Sequence, residues 1–179
     1  MPVVRGRWRW LAVTAALVVA AFVATTARIF VFPARGMPAQ VDAIVTLDGP
    51  AYSSRLATAL RLAHERRAPT LLISLGTKLS GPSCPPPVPD VKVICFNPSP
   101  ATTQGEAEFA GRLARQDHWK SVALVTVAPQ DTRARLRMSR CFSGRIYVVA
   151  APLPIGQWPA GIVYESGAML KALVLQRGC

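Results

Sequence analysis

Residues 121–142 read SVALVTVAPQDTRARLRMSRCF, and this stretch decides the fold class. Its first part, from Ser121 to Val127, is a nearly unbroken apolar run rich in valine, which is typical of a strand buried on both faces. The part from Gln130 to Phe142 has the spacing of an amphipathic helix. A buried strand that leads into a helix is the repeating unit of a parallel sheet, so the stretch predicts an α/β protein.

The same alternation of apolar runs and amphipathic stretches continues on both sides. It predicts four further strands and three further helices, the first of them capped by Ser53. Because strands and helices alternate, we expect a Rossmann-like three-layer sandwich with a mainly parallel five-stranded sheet. The four further strands are expected over 41–47, 70–75, 91–95 and 145–150. The three further helices are expected to begin near Ser53, to span 103–116 and to span 162–175.

An apolar N-terminal segment precedes the α/β region. Arg5, Arg7 and Arg9 are followed by a run of 18 residues without a charge, which ends before Arg28. As a helix this run extends about 27 Å, close to the hydrocarbon thickness of a bilayer. A cleaved signal peptide and a buried core helix are the alternatives. Signal peptides have shorter apolar regions, so we expect an uncleaved transmembrane anchor.

The distribution of charge predicts the orientation of this anchor. Arginines precede the apolar run and nothing comparable follows it directly, so the positive-inside rule puts the N-terminus in the cytoplasm. We therefore expect a single-pass protein of the cell membrane with an extracytoplasmic α/β domain. The expected organisation is a cytoplasmic basic segment over 1–9, a transmembrane anchor over 10–32, a linker over 33–40 and the α/β domain over 41–179.

Composition and charge restrict the function classes. With 51% hydrophobic and 17% charged residues, the chain of 179 residues is neither disordered nor a charge-rich coiled coil. A net charge of +12 and an arginine stripe at Arg133, Arg137 and Arg140 are also found in nucleic-acid-binding proteins. Because an exported domain rarely meets DNA, we expect no nucleic-acid partner and assign the charge to an anionic membrane environment.

Four cysteines fit an exported domain. Cys84 and Cys95 bracket a proline-rich loop that contains Pro82, Cys141 falls late in a predicted helix, and Cys179 is the last residue. In an oxidising compartment the natural pairs are Cys84–Cys95 and Cys141–Cys179. Four cysteines permit three pairings, however, and buried free thiols are the alternative. The sequence has no C-x-x-C pair, so we expect no metal.

Polar groups and glycines collect where the predicted strands end. Because ligands of open α/β sheets bind beyond the carboxyl ends of the strands, we expect the site at this edge, here named the carboxyl rim. Arg55 and Arg133 each follow a rim loop and are expected to hold a phosphate or carboxylate. Turn glycines, a helix cap at Thr103 and solvated arginines are the ordinary alternatives. The expected ligand-binding residues are Gly49, Arg55, Ser74, Gly76, Thr103, Thr126, Gln130 and Arg133, and the rim also includes Thr77.

The order of these motifs resembles the YdcF-like family of envelope proteins, in an actinobacterial-type variant, over residues 41–175. In that family a strand ends in Leu-x-Gly-Gly before an Arg-led helix, and residues 47–50 and Arg55 stand in those places. The family's Ser-x-x-Thr and Glu-Asn-Ala segments are similar to residues 100–107. Its Val-Thr-Ser-x-Tyr-His-x-x-Arg-Ala motif aligns with residues 125–134.

The chain departs from the family pattern within these motifs. Val127, Pro129 and Gln130 stand where the family has serine, tyrosine and histidine, and Pro50 replaces the second glycine of the first turn. An imidazole general acid or base is therefore missing at this position. Gln130 keeps an amide that can orient a ligand or a water molecule by hydrogen bonding.

Because the imidazole is missing, carboxylates are the candidates for any acid–base chemistry that the chain performs. His64 and His118 are expected at the surface of the opposite rim, away from the site. Asp48 and Glu106 belong to the matched motifs, and Glu165 is similar to a terminal glutamate of the family. These three are the candidate catalytic residues, with pKa values shifted by burial.

Two function classes follow from the residues and the resemblance. The resemblance implies binding of an anionic small or lipid-linked ligand in cell-envelope or peptidoglycan maintenance. The alternative is an enzyme that acts on a phosphorylated or glycan envelope precursor through the three carboxylates. Some YdcF-like members are linked to adenosyl-methionine, but an exported domain would meet little of it, so the cofactor stays unknown.

Overall fold

A computed structural model describes residues 3–32, 36–76 and 84–179, with side chains from residue 8 onward. Within these residues, five parallel strands form one sheet in the order β3-β2-β1-β4-β5. The predicted α/β class and the parallel five-stranded sheet are confirmed. The strands are β1 Ala43–Thr46, β2 Thr70–Ser74, β3 Lys92–Phe96, β4 Ser121–Val127 and β5 Arg145–Ala151.

Strand β1 lies at the centre of the sheet. Its Ile44 is opposite Leu71 of β2 and Ala123 of β4, and all three side chains are fully buried. Small and β-branched apolar residues dominate β1 and β4 because a parallel sheet is covered on both faces. This two-sided burial is the reason that β4 is apolar along nearly its whole length.

Helices cover the sheet on both faces. Those that pack on it are α2 Tyr52–His64, α3 Thr103–Gln116 and α4 Asp131–Cys141, whereas α1 Val3–Thr26 precedes the α/β region and α5 Trp158–Val174 packs on α4. Ala59 and Leu62 of α2 pack with Ile44 on one face, whereas Ala110 of α3 and Met138 of α4 pack in a second core on the other. The result is a three-layer arrangement whose two cores are separated by the sheet.

The ends of two helices differ from the sequence-based expectation. Ser53 lies inside α2 and does not cap it, because the helix follows Ala51, which has left-handed backbone angles. Helix α3 begins at Thr103 as predicted, and Thr102 is its cap, with Oγ1 accepting a hydrogen bond from the Gly105 amide. Helix α5 begins earlier than predicted, at Trp158, since the proline that follows suits a first helical turn.

The N-terminal helix is long and apolar enough to cross a membrane. Its apolar span runs over Trp8–Val31, and an 18-residue window within this span has a mean hydropathy of 2.0 and no buried residue. A π-helical turn over Ala27–Val31 ends it and buries Phe30 against the domain. The linker start at 33–35 lies outside the described residues, and Gly36 then pairs with β5.

Both expected disulfides are present. Cys84 is bonded to Cys95 on β3, and Cys141 at the end of α4 is bonded to Cys179. The Cα atoms of the two pairs are 5.9 and 4.9 Å apart, within the range of protein disulfides. Pro82 of the bracketed loop lies outside the described residues. Two disulfides point to an oxidising, extracytoplasmic environment for the domain.

The arginine stripe of α4 holds the end of α5. Arg137 donates hydrogen bonds to the main chain and side chain of Gln176. Arg140 Nη1 donates to the carbonyl oxygens of Ala172 at 2.9 Å and Gln176 at 2.6 Å. Burial lowers the pKa of Arg137, and the Arg140 charge adds to that effect. These two arginines satisfy carbonyl groups at a helix C-terminus, where cations are favourable.

Candidate functional site

A cavity of about 300 Å³ opens at the carboxyl rim. Its walls are the turns after β1 and β2, the segment before α3, the start of α4 and one face of α5. This is where an open parallel sheet is expected to bind its ligand. Five of the expected ligand-binding residues and all three candidate catalytic residues line it: Gly49, Gly76, Thr103, Gln130, Arg133, Asp48, Glu106 and Glu165.

Arg55 lies beneath the turn after β1 and does not line the cavity. It is 0% exposed, and its Nη1 donates to the carbonyl oxygens of Leu47 at 3.2 Å and Asp48 at 2.9 Å. Burial lowers the pKa of Arg55 to about 10, against the raising influence of the Glu106 and Asp48 carboxylates. Arg55 is therefore neither solvated nor an anion contact. It fixes the turn and balances the carboxylates beside it.

Glu106, in the first turn of α3, is the buried carboxylate of the site. It is 2% exposed, and its Oε1 accepts a hydrogen bond from the Asp48 amide at 2.6 Å. Burial raises the pKa of Glu106 to about 7, although the Asp48 amide and Ser74 act in the opposite direction. The Ser74 hydroxyl forms no hydrogen bond of normal geometry with a described residue. A carboxyl group that titrates near neutral pH suits a general acid or base.

Gly76 allows the Asp48 side chain to lie against the turn after β2. Its φ of +67° is in the left-handed region, and a Cβ atom there would overlap the Asp48 carboxylate. A glycine is therefore needed at this position both for the turn and for the close approach of the Asp48 carboxylate. Thr77, the next residue, lies outside the described residues.

The side chains of Thr126, Gln130 and Thr103 are hydrogen-bonded in series, and the series ends at the cavity. Thr126 Oγ1 donates to Gln130 Oε1 at 2.8 Å, which fixes the orientation of the amide. Gln130 Nε2 then donates to Thr103 Oγ1 at 3.2 Å, and Arg133 Nη1 donates to the same oxygen at 2.8 Å. Because both lone pairs of Thr103 Oγ1 are occupied, its hydroxyl hydrogen is directed elsewhere. Thr126 is the fully buried first member of this series and does not line the cavity.

Arg133 is held by Glu165 across the cavity wall. Its Nε donates to Oε2 at 2.5 Å and its Nη2 to Oε1 at 2.7 Å, which is a bidentate pair between α4 and α5. Burial acts to lower the pKa of Arg133, but the hydrogen-bonded Glu165 outweighs it and leaves that pKa above its usual value. Arg133 is therefore a positioned cation, and not a solvated side chain.

Several residues that line the cavity were not predicted from the sequence. Tyr164, Lys171 and Gln176 come from α5 and the segment after it, and Arg137 comes from the stripe of α4. The apolar character of α5 suggested only a packed helix, and nothing local in sequence indicates that its ends meet α4. Lys171 is exposed, and no described residue pairs with its ammonium group.

The described part of the chain contains no group of three or more histidine, cysteine, aspartate or glutamate side chains placed to hold a metal ion. Three polar groups of different kinds, the Asp48–Glu106 carboxylates, the Thr103 hydroxyl and the Lys171 ammonium, nevertheless face one cavity. No protein-family model matches the chain, and comparison with curated proteins and with solved structures gave no match.

Proposed function

We propose that this chain is a membrane-anchored extracytoplasmic protein that binds an anionic small or lipid-linked ligand at the carboxyl rim, in maintenance of the cell envelope. One observation carries the proposal: Thr103 accepts two hydrogen bonds inside the protein, from Gln130 and Arg133, and also lines the cavity. Its hydroxyl hydrogen is left for an acceptor in the cavity. An anionic oxygen is the strongest such acceptor.

The surrounding electrostatics favour a negative ligand. Thr103 begins α3, so the free amides and the dipole of the helix start add positive potential there. The carboxylates of the cavity have cations nearby, since Glu165 is bonded to Arg133 and Arg55 lies close to Asp48 and Glu106. Lys171 is left as an exposed cation at the cavity wall.

The cellular setting is part of the same proposal. We assign the chain to the YdcF-like family, with the N-terminus in the cytoplasm and the domain outside. The N-terminal apolar span and the two disulfides support an exported, anchored domain. The three arginines before the span support this orientation.

Titration of the full chain in nanodiscs tests anion binding. The probes are N-acetylglucosamine 1-phosphate in solution and dioleoyl phosphatidic acid in the disc. We expect Lys171→Ala to weaken binding of at least one probe about tenfold, which is the effect of losing about 1.4 kcal/mol of charge–charge attraction. The control is Lys92→Ala, which removes the same charge from the exposed first residue of β3.

A pair of Thr103 variants separates the hydroxyl from the fold. Thr103→Ser keeps the donor and should bind like wild type, whereas Thr103→Val removes it and should not bind. Unfolding of each variant is measured in parallel, because valine also leaves the donors of Gln130 and Arg133 without their acceptor. Equal affinity of Thr103→Val and wild type for both probes would overturn the proposal.

Catalysis is a second candidate function, and the Asp48–Glu106 pair favours it. Burial raises the pKa of Glu106 to about 7, and the Asp48 carboxyl group lies beside it at the cavity, so Glu106 can give or take a proton near neutral pH. The reaction class would be hydrolysis or transfer on a phosphorylated or glycan envelope precursor. Phosphate release from N-acetylglucosamine 1-phosphate that Asp48→Asn and Glu106→Gln both abolish would establish it. Binding without turnover would exclude this candidate for that substrate.

A further inference from the structure

Helix α5 presents an apolar face that no described residue covers. Of its 17 residues, Glu165 and Ala172 alone are buried. Helices on the surface of a soluble domain carry mainly polar residues on their outer face, so this pattern needs a partner. The exposed apolar side chains include Val163 at 75%, Leu170 at 64%, Val174 at 53% and, just beyond the helix, Leu175 at 75%.

These side chains form one stripe. Val163, Leu170 and Val174 are at positions i, i+7 and i+11, which lie on the same side of an α-helix. The cations Lys171 and Arg177 lie near the end of the stripe and are exposed. An apolar stripe with flanking cations is typical of a helix that lies in a lipid–water interface.

The stripe belongs to the helix that begins beside the end of the membrane span. Thr132 Oγ1 of α4 donates to the carbonyl oxygen of Ile29 at 2.7 Å, and the turn that buries Phe30 packs on the 3₁₀ turn Ala128–Gln130. Helix α5 packs on that same 3₁₀ turn, where a Cβ atom on Gly161 would lie 3.7 Å from Pro129. The carboxyl end of β4, the exit of the span and the start of α5 therefore lie together.

We propose that α5 lies in the outer face of the membrane, with the stripe of Val163, Leu170 and Val174 in the lipid and with the cavity opening at the level of the headgroups. Tyr164 and Lys171 of the same helix line the cavity, so a lipid headgroup can enter it without leaving the bilayer. The proposal rests on the membrane anchoring proposed above. It does not depend on which ligand binds.

Lipid-borne quenching of a label on α5 tests the contact. The full chain with Leu170→Cys carries an environment-sensitive fluorophore and is placed in nanodiscs with one copy per disc, with brominated phosphatidylcholine as the quencher. We expect at least twofold quenching. The control is Gln116→Cys at the exposed end of α3, at the opposite rim of the sheet, which should not be quenched. Val174→Cys is the second test position if Leu170→Cys does not fold.

The outcomes are separable. Equal, low quenching at the test and control positions would overturn the proposal. A second copy of the chain is the competing occupant of the stripe. If a second copy covers the stripe, the label stays unquenched in discs that hold one copy and in discs that hold two, and its emission differs between the two kinds of disc; this also overturns the proposal.

A charged residue introduced into the apolar stripe of α5 tests whether the membrane contact contributes to ligand binding. Leu170→Asp should weaken binding of dioleoyl phosphatidic acid about tenfold and leave binding of soluble N-acetylglucosamine 1-phosphate unchanged. Loss of both to the same extent would indicate damage to the cavity and argue against a membrane role for the stripe. Quenching of the label without binding of either probe would remove the proposed function and leave the membrane contact standing.

Discussion

Arg133 and Glu165 form a bidentate ion pair across 32 residues of sequence, with Nε–Oε2 and Nη2–Oε1 distances of 2.5 and 2.7 Å. Only 10% and 5% of the two side chains are exposed. This pair joins α4 to α5, a helix with few other buried contacts, at the wall of the cavity. The position of α5, and with it the shape of the cavity, therefore depends on this buried pair together with Arg137 and Arg140, which hold the other end of the helix.

Removal of one partner of this pair should be costly. Glu165→Gln leaves the Arg133 charge buried beside a neutral amide, and we expect a loss of about 3 kcal/mol in the free energy of unfolding. The measurement is urea unfolding of the full chain in detergent micelles. The matched control is Glu65→Gln, which breaks the exposed Arg61–Glu65 pair and should cost less than about 1 kcal/mol. A similar small loss for both variants would contradict the assigned role of the pair.

The two disulfides should contribute unequally. They close loops of 11 residues for Cys84–Cys95 and 38 residues for Cys141–Cys179. Loop-closure entropy predicts about 3 kcal/mol for the first and about 4 kcal/mol for the second. The measurement compares unfolding of the two paired serine variants, with peptide mapping to verify the remaining bond. A larger loss for the Cys84–Cys95 variant would show that native-state contacts outweigh the loop entropy.

The sequence predicts the sheet well because the causes of strand formation are local. The apolar run 121–127 is β4 without a change of boundary, and Thr103 begins α3 where it was expected. Both cysteine pairs are those expected for an exported domain. A strand buried on both faces needs a local run of apolar residues, and a helix start needs particular residues next to it. Both features can therefore be found from a local sequence pattern.

The details of the site were less predictable because they depend on distant contacts. Arg55 has the sequence position of an anion contact, yet it is buried and donates to the carbonyl oxygens of Leu47 and Asp48. The sequence around Arg55 does not show that the carboxylates of Glu106 and Asp48 lie beside its guanidinium group inside the protein. Lys171 lines the cavity because α4 and α5 meet, through the Arg133–Glu165 pair and through the arginines at the end of α4.

Two glycine variants should have opposite effects. Gly76→Ala forces a left-handed residue to carry a side chain and displaces the Asp48 carboxylate, so both stability and probe binding should fall, the former by about 1 kcal/mol or more. Gly167 is a helical residue of α5 with nothing within 4 Å of an added Cβ atom, and Gly167→Ala should stabilise the chain by about 0.5–1 kcal/mol. Unfolding and probe titrations of both variants check this. Equal tolerance of the two would contradict the close approach of Asp48 to Gly76.

The pH dependence of stability should report the proton on Glu106. Burial raises the pKa of Glu106 from 4.5 to about 7 in the folded chain, so between these values the native state holds a proton that the unfolded state has released. Stability from this group is therefore fully present below pH 4.5 and is lost as pH rises to about 7. The total loss is about 3 kcal/mol.

Glu106→Gln should remove this pH dependence, because the amide cannot titrate and its oxygen can still accept the hydrogen bond from the Asp48 amide. The measurement is the difference in unfolding free energy between wild type and Glu106→Gln at several pH values from 4.5 to 8. The variant should gain stability relative to wild type as pH rises, and Glu108→Gln, two residues along α3 and partly exposed, should not. A difference that stays constant with pH would mean that folding does not raise the pKa of Glu106. Glu106 would then not be the proton-holding partner of Asp48, and the catalytic candidate would lose its support.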